Sequence, residues 1–192
     1  KTPNHHLYFV GDVYRYVLNK EFSGWVEFGD AMTERPKEFF WFEDNRVLLR
    51  RLVNRQQRLM ATITEDTFIT NKNLYSIVVN SPQEIYPFLG ILNSKLISYL
   101  YLQQVTQATK DDFPQVTIKD ILSLPYPNTD VLSKKSSILA DLVKFLIMAN
   151  QQVLQDRVPE DRERLQRQIE AAERQIDRLV YELYGLSEEE IR

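Results

Sequence analysis

The sequence lacks several residue types and patterns on which common catalytic sites depend. It contains no cysteine, which excludes a disulfide framework, thiolate catalysis and cysteine-rich zinc sites. Its five glycines are scattered singly, so neither a glycine-rich phosphate loop nor a Gly-x-Ser-x-Gly nucleophile elbow is present. The only histidines, His5 and His6, are adjacent. We expect them in an exposed end segment rather than a metal site, because a metal needs further ligands around it.

Long apolar runs are also missing. No run approaches the roughly 20 residues that cross a bilayer, and the polar segment 1–6 lacks the apolar core of a signal peptide. Together with the missing cysteine, this predicts a cytoplasmic protein with no membrane partner. The chain begins at Lys1 without a methionine, so we expect it to be cut from something longer. Apolar residues make up 43% of it, which is enough to build a core.

The formal net charge is only −3, which argues against a protein whose whole surface binds nucleic acid. The charge is nevertheless segregated along the chain. Five arginines fall within thirteen residues that contain no Asp or Glu, and a basic strip of this kind can attract phosphate. We call them the arginine strip: Arg46, Arg50, Arg51, Arg55 and Arg58.

The two halves of the chain differ in their pattern of apolar residues. Short runs rich in β-branched and aromatic residues predict strands over 7–10, 13–18, 24–29, 47–53, 59–64 and 74–79, followed by an amphipathic helix over 84–104. From about 130 onward two helices are predicted, one over 132–155 and one that begins near Pro159 and carries a heptad seam. Their short connection predicts an antiparallel hairpin. The expected fold is α+β: a β-rich head with a packed helix over 1–128, and a helical hairpin over 129–192 that serves as a spacer or docking arm.

The arginine strip has two interpretations. Arg50 and Arg51 should lie on opposite faces of one strand, with the other three arginines near its ends. Arginine forks bind phosphates and can read a guanine edge, which predicts contact with DNA. Alternatively, at least one of this pair faces the core and is neutralised there by an acid such as Glu43 or Asp44.

Two polar segments are further candidates for DNA contact. Asn71, Lys72 and Asn73 lie between two predicted strands. Asparagine can read adenine and lysine contacts phosphate, although asparagine is also a common turn residue. The loop after the amphipathic helix contains Gln107 and Lys110 among other amide and hydroxyl side chains. Such groups suit base edges but also occur in ordinary loops.

Two pairs of acidic residues are candidate metal sites for phosphodiester cleavage, Glu65-Asp66 and Asp111-Asp112. A nuclease usually places a lysine close behind a second acid on a strand. Here Thr67 follows the first pair, and the second pair lies in a polar loop. We expect solvated turns at both, and a free-standing nuclease is the less favoured alternative.

Several segments in their order along the chain resemble the TaqI-like C-terminal specificity domain, the target-recognition part of adenine-specific methyltransferases and fused restriction–modification enzymes. The most telling reads Leu-Gly-Ile-Leu-Asn-Ser-Lys-Leu-Ile at 89–97. The others lie at 11–16, 35–51, 68–75, 113–114, 121–127 and 176–186.

This resemblance implies a prokaryotic parent protein that transfers a methyl group from S-adenosylmethionine to adenine in double-stranded DNA. It implies either a methyltransferase alone or one fused to an endonuclease. The Asn-Pro-Pro-aromatic motif and the cofactor-binding glycine motif of such enzymes are absent here. We therefore expect no catalysis and no cofactor in this segment, with S-adenosylmethionine bound by a missing N-terminal part. The expected partners are DNA and a methyltransferase domain of the same chain or of another subunit. The alternative is a protein–protein interaction module built on the hairpin, like half of a type I specificity subunit.

Overall fold

The computed structural model describes residues 4–32, 38–53, 56–104, 115–156 and 158–191. Within these ranges the α+β fold class is confirmed. The strands are β1 (His5–Phe9), β2 (Asp12–Tyr14), β3 (Val17–Asn19), β4 (Phe22–Glu27), β5 (Arg46–Arg50), β6 (Ala61–Thr64) and β7 (Leu74–Ile77). The helices are α1 (Ile85–Leu92), α2 (Lys95–Gln104), α3 (Ile118–Ser123), α4 (Thr129–Ser133), α5 (Ser136–Gln155), α6 (Pro159–Leu183) and α7 (Glu188–Ile191). Short 3-10 helices at Phe39–Phe42 and Pro82–Glu84 precede β5 and α1.

Strand β5 lies at the centre of an antiparallel sheet of order β6-β5-β7. Its side chains alternate between two cores, as the period of two requires. Val47 and Leu49 belong to the large core shared with the helices. Leu48 points the other way, into a smaller cluster with Phe9 and Phe68. Burial on both faces explains why this strand reads as an almost unbroken apolar run.

The remaining strands form two antiparallel pairs, β1 with β4 and β2 with β3. The prediction of one strand over 13–18 is wrong, because the chain turns back between Tyr14 and Val17. Tyr16 adopts a positive φ of 63° in this turn. Its side chain is buried in the large core, and its N–H donates to the carbonyl of Ala61 over 3.0 Å. Tertiary contacts therefore stabilise this turn, although the sequence has no glycine or proline there that would predict it.

The predicted helix over 84–104 is two helices, α1 and α2, interrupted at Asn93 and Ser94. Both interrupting residues are buried polar groups. Ser94 Oγ accepts a hydrogen bond from the N–H of Ile97 over 3.2 Å in the first turn of α2. The side chain of Asn93 makes its hydrogen bonds to strand β6 instead. The apolar periodicity continues through the interruption, which is why the sequence pattern did not show it.

Helices α5 and α6 form the predicted hairpin. They are antiparallel, since Lys135 just before α5 pairs with Glu182 near the end of α6. Pro159 is the first residue of α6, as expected. The seam is buried at Leu165, Ile169, Ala172, Ile176 and Leu183, whereas Leu179 is half-buried.

The hairpin packs directly on the head, because α1 contacts both α5 and α6 and α2 contacts α6. A Cβ atom added to Gly90 of α1 would lie 3.0 Å from Val143 of α5, which shows how closely these helices approach. One hydrophobic core contains Leu89 of the head together with Leu139 and Ile176 of the hairpin. The boundary at residue 128 therefore crosses a shared core, and the division into two domains stays a prediction.

Among the helices of the described residues, only α5 is long and apolar enough to cross a membrane. The mean hydropathy of its apolar window is 1.2. The core helix of a folded protein meets the same criterion. Here Asp141 and Lys144 lie within α5, and Leu139 and Leu146 are buried against the rest of the fold.

Candidate nucleic-acid interface

The structure divides the arginine strip, and Arg46 falls in the interior. It is fully buried at the start of β5. Its Nη1 donates to the carbonyls of Asp44 over 3.2 Å and Asp66 over 2.8 Å, and its Nη2 donates to the carbonyl of Phe68 over 3.3 Å. The guanidinium also lies 4.8 Å from the centre of the Phe68 ring. Burial lowers the pKa of Arg46 to about 10, although the nearby Asp66 and Asp44 raise it in part. This burial argues against the predicted contact of Arg46 with DNA and favours the structural interpretation, with carbonyl oxygens as its partners.

Arg58 lies at the junction of head and hairpin. Its Nη2 donates to the carbonyl of Asn93 over 2.6 Å. Burial lowers its pKa and the charge of Arg15 lowers it further, whereas Asp177 and Glu173 of α6 raise it. Arg15 itself pairs with Glu173 at 2.8 Å. Arg58 therefore belongs to a charged network that joins the head to α6, and its predicted DNA contact gains no support from this position.

Arg50 and Arg51 are half-buried, and each lies beside a tyrosine ring. The Arg50 guanidinium is 6.0 Å from the centre of the Tyr14 ring, and that of Arg51 is 5.6 Å from the Tyr75 ring. Tyr14 is exposed, whereas Tyr75 packs against the large core. The two arginines thus lie on opposite faces of the sheet, as predicted from their adjacency. The acid that one of them was expected to need is not found among the described residues, where neither forms an ion pair.

Arg51 joins two segments that are far apart in sequence. Its Nη1 donates to the carbonyl of Lys72 and its Nη2 to the side-chain oxygen of Gln115, both over 3.1 Å. Its backbone N–H donates to the carbonyl of Asn73 over 2.9 Å. Its carbonyl accepts from the N–H of Val116 over 2.7 Å. One arginine therefore holds the turn before β7 and the strand-like segment at 115–116 against the end of β5.

The turn before β7 is closed by Asn71. Its Oδ1 accepts from the N–H of Asn73 over 2.8 Å, and its carbonyl accepts from the N–H of Leu74 over 3.2 Å. This is an asparagine turn in which the Asn71 side chain shapes the backbone. The side chains of Lys72 and Asn73 are exposed on it. The two interpretations of this segment are thus compatible: Asn71 builds the turn, and its neighbours face solvent.

Five of these residues define one surface, which we call the polar edge. It consists of Arg51, Asn71, Lys72, Asn73 and Gln115. Arg50 lies at the same end of β5, on the opposite face of the sheet. Three further predicted contacts, Arg55, Gln107 and Lys110, lie outside the described residues. Sequence reasoning missed Gln115 because nothing local distinguishes it. Its link to Arg51 spans 64 positions, and only the pairing of segments in the fold brings them together.

Of the candidate metal ligands, Asp66, His5 and His6 make other contacts in the structure. Asp66 pairs with Lys20 at 2.5 Å on the surface, and Asp111 and Asp112 lie outside the described ranges. The expectation that His5 and His6 form an exposed end is wrong, because both are half-buried in β1. The His6 ring lies 4.0 Å from that of Phe39. Burial lowers the pKa of His6.

The structure thus combines an antiparallel sheet, packed helices and a polar edge that carries basic and amide groups. The chain belongs to the TaqI-like C-terminal specificity domain family, whose model matches residues 6–126. The matched region ends shortly after α3 and contains the whole polar edge. The resemblance drawn from the ordered sequence segments is confirmed.

A longer relative shares this region. Over 140 residues the chain is 33% identical to a protein of Methanocaldococcus jannaschii whose assigned name is type II restriction enzyme and methyltransferase. The alignment covers 72% of this chain and 12% of that protein. The chain therefore corresponds to a small part of the relative's length.

Proposed function

We propose that this chain is a DNA target-recognition module that directs a restriction–modification enzyme to its site. The observation that carries the proposal is the polar edge, in which Arg51 unites the Lys72 turn and Gln115 within the region matched by the specificity-domain family. Cationic side chains supply the salt-dependent attraction to phosphate, and amide side chains can read base edges. Arg50 and Lys72 are assigned to phosphates, and Asn73 and Gln115 to bases.

The chemistry in this proposal belongs to other parts of the protein. The name of the relative mentions a methyltransferase and a restriction enzyme, and this chain matches only a small share of that relative. We infer a parent that methylates adenine with S-adenosylmethionine bound outside this chain, in a prokaryotic cytoplasm. An enzyme that modifies a base must extrude it from the duplex. The module described here would hold the duplex while that step takes place.

The proposal is tested by the salt dependence of binding to a duplex library. Each phosphate contact adds close to one unit to the slope of log K against log [salt]. We therefore expect Lys72→Ala and Arg50→Ala each to weaken binding to all sequences and to reduce that slope by about 1. Lys134→Ala is the matched control, because Lys134 is exposed beside α4 on the hairpin side. Binding that does not respond to salt, or that Lys134→Ala weakens equally, would contradict the proposal.

A methyltransferase domain, in the same chain or in another subunit, is the protein partner we propose. One observation supports a docking role for the hairpin. The outward side of α5 exposes Ile138, Phe145 and Met148. At 3.6 residues per turn these side chains lie within about 90° of one another around the helix axis, so they share one face. Phe145→Glu with Met148→Glu should abolish association with the methyltransferase domain and leave the DNA affinity of this chain unchanged. Unchanged association would show that the hairpin has another role.

A further inference from the structure

Gln115 has an anchored backbone and an exposed side chain. It pairs with Leu52 as an isolated antiparallel bridge. The next residue, Val116, is fully buried, and its carbonyl accepts a hydrogen bond from the Tyr75 hydroxyl over 3.1 Å. The side chain of Gln115 is exposed on the polar edge. A rigid base under an exposed amide is the arrangement that a recognition residue needs, because little conformational entropy is lost when the amide makes a new contact.

Arg51 fixes which way this amide points. A guanidinium carries only hydrogen-bond donors, so the atom of Gln115 that faces it at 3.1 Å must be the carbonyl oxygen Oε1. Arg51 is itself held by the carbonyl of Lys72 and lies beside the Tyr75 ring. The amide therefore cannot flip without breaking the bond to Arg51. Its Nε2 group, with two N–H donors, is the part directed away from Arg51.

This orientation changes what Gln115 can read. A glutamine that reads adenine bidentately uses its oxygen to accept from N6 and its nitrogen to donate to N7. Here one lone pair of the oxygen accepts from Arg51, and that bond holds the oxygen toward Arg51 with the Nε2 donors directed away from it. In the major groove guanine offers two acceptors, O6 and N7, whereas cytosine offers only the N4 donor. An amide that presents its donors to the groove therefore favours guanine and disfavours cytosine.

We propose that Gln115 is a specificity-determining residue that selects guanine at one position of the recognised site through its Nε2 donors, with Arg51 as its positioning residue. This inference rests on the proposed function, since it assumes that the polar edge faces DNA. It goes further by assigning the recognition of one base, guanine, to one side chain through its two Nε2 N–H donors.

The test uses selection from a randomised duplex library, with the base frequencies read at every enriched position. Gln115→Glu keeps the shape of the side chain and its contact with Arg51 but replaces both donors by an acceptor. A carboxylate accepts from cytosine N4, so we expect the preference at one position to change from guanine to cytosine. We expect Gln115→Ala to reduce the guanine preference there by about tenfold. Arg51→Met releases the amide and should extend that preference to adenine.

The outcomes separate this inference from the proposed function. Gln152→Glu on α5 is the matched control for added charge, since Gln152 is exposed on the hairpin, and it should leave the selected site unchanged. If the wild-type chain enriches a site and both Gln115 variants enrich that same site with the same base frequencies, Gln115 does not determine specificity and only this inference fails. Uniform weakening by Gln115→Glu without a changed base preference would overturn it as well. If the wild-type chain enriches no site, the proposed function fails too.

Discussion

The side-chain amide of Asn93 hydrogen bonds to both backbone groups of Ala61. Its Oδ1 accepts from the Ala61 N–H over 3.0 Å, and its Nδ2 donates to the Ala61 carbonyl over 2.9 Å. Asn93 is 1% exposed and lies between α1 and α2, whereas Ala61 begins the edge strand β6. The amide therefore acts like a neighbouring strand for β6. It also ties the interruption of the helix to the sheet, within the segment 89–97 that most resembles the family.

Asn93→Ala should lower the free energy of unfolding by about 2 kcal/mol or more. It leaves the buried N–H of Ala61 without its partner and removes one hydrogen bond from the Ala61 carbonyl. Asn93→Asp keeps the acceptor but loses the donor, so we expect a loss that is larger at neutral than at acid pH. Urea unfolding measures both. Asn80→Ala, at an exposed asparagine, is the control and should change stability by no more than about 0.5 kcal/mol. Equal effects at the two positions would mean that the pairing with Ala61 contributes little.

Gly11 begins another segment that resembles the family, and the structure gives a steric reason for glycine there. A Cβ atom at this position would lie 2.0 Å from the carbonyl oxygen of Asn19 and 2.8 Å from the backbone nitrogen of Glu21. Both obstacles are backbone atoms, so the chain around β2 and β3 must shift to admit a methyl group. Gly11→Ala should cost about 1–3 kcal/mol or more, as overpacking does.

Gly29→Ala is the matched control for that substitution, because an added Cβ there meets nothing within 4 Å. It should be neutral or stabilise the protein by up to about 1 kcal/mol through the unfolded chain. Thermal or urea unfolding of the two variants in parallel gives the comparison. A Gly11→Ala variant as stable as Gly29→Ala would contradict the close approach of Gly11 to Asn19.

The strands and helices were largely predictable because burial imposes a period on the sequence. Strand β5 follows from its apolar run, and α6 follows from Pro159 and the seam. The turn at Tyr16 and the interruption at Asn93 were missed, since neither changes the spacing of apolar residues. Both depend on hydrogen bonds to Ala61, which is distant in sequence.

The candidate site was predictable in part, for a similar reason. Composition identified the arginine strip and the 71–73 segment, but it could not sort arginines by burial. Arg46 is interior because carbonyl groups of the segment after β6 surround it. Arg51 reaches the polar edge because the pairing of β5 with β7 and with 115–116 brings Lys72 and Gln115 to it. Strand pairing, rather than residue type, therefore determines which arginines are buried in the interior and which reach the surface.

Asp177 of α6 caps a helix of the head. Its Oδ1 accepts from the N–H of Lys95, the first residue of α2, over 2.8 Å, and its side chain is nearly buried. Asp177→Ala should lower the free energy of unfolding by about 1–2 kcal/mol, the usual cost of losing an N-terminal cap. Asp177→Asn keeps a carbonyl oxygen in place and should lose less. Its remaining loss is the attraction to the largely exposed Lys95 ammonium, which contributes little, and to the Arg58 guanidinium, whose pKa Asp177 raises.

Urea unfolding of the two Asp177 variants tests this contact between hairpin and head. Asp141→Ala on the exposed side of α5 is the control and should be nearly neutral. If Asp177→Asn destabilises the protein as much as Asp177→Ala, the charge rather than the cap is what matters at this position.

Stability should fall at alkaline pH, in part because of Tyr101. Burial, followed by the charge of Asp120, raises the pKa of its hydroxyl to about 12 from an ordinary value of 10.0. Its side chain is 1% exposed, and its hydroxyl has no hydrogen-bond partner among the described residues. Because the folded pKa is the higher one, the neutral form stabilises the native state fully below pH 10. That contribution is lost as pH rises from 10 through 12.

The expected loss from this one group between pH 9 and pH 11 is about 1.4 kcal/mol. Tyr101→Phe cannot ionise and should therefore lose that much less stability over the same interval, measured by urea unfolding at both pH values. At pH 9 it should be as stable as the wild type or slightly more so, because it removes a buried hydroxyl without a partner. Tyr99→Phe, two positions earlier on α2 and 59% exposed, is the matched control and should follow the wild type at both pH values. Parallel pH dependence of the Tyr101→Phe variant and the wild type would show that Tyr101 ionises as readily in the folded protein as in the unfolded chain.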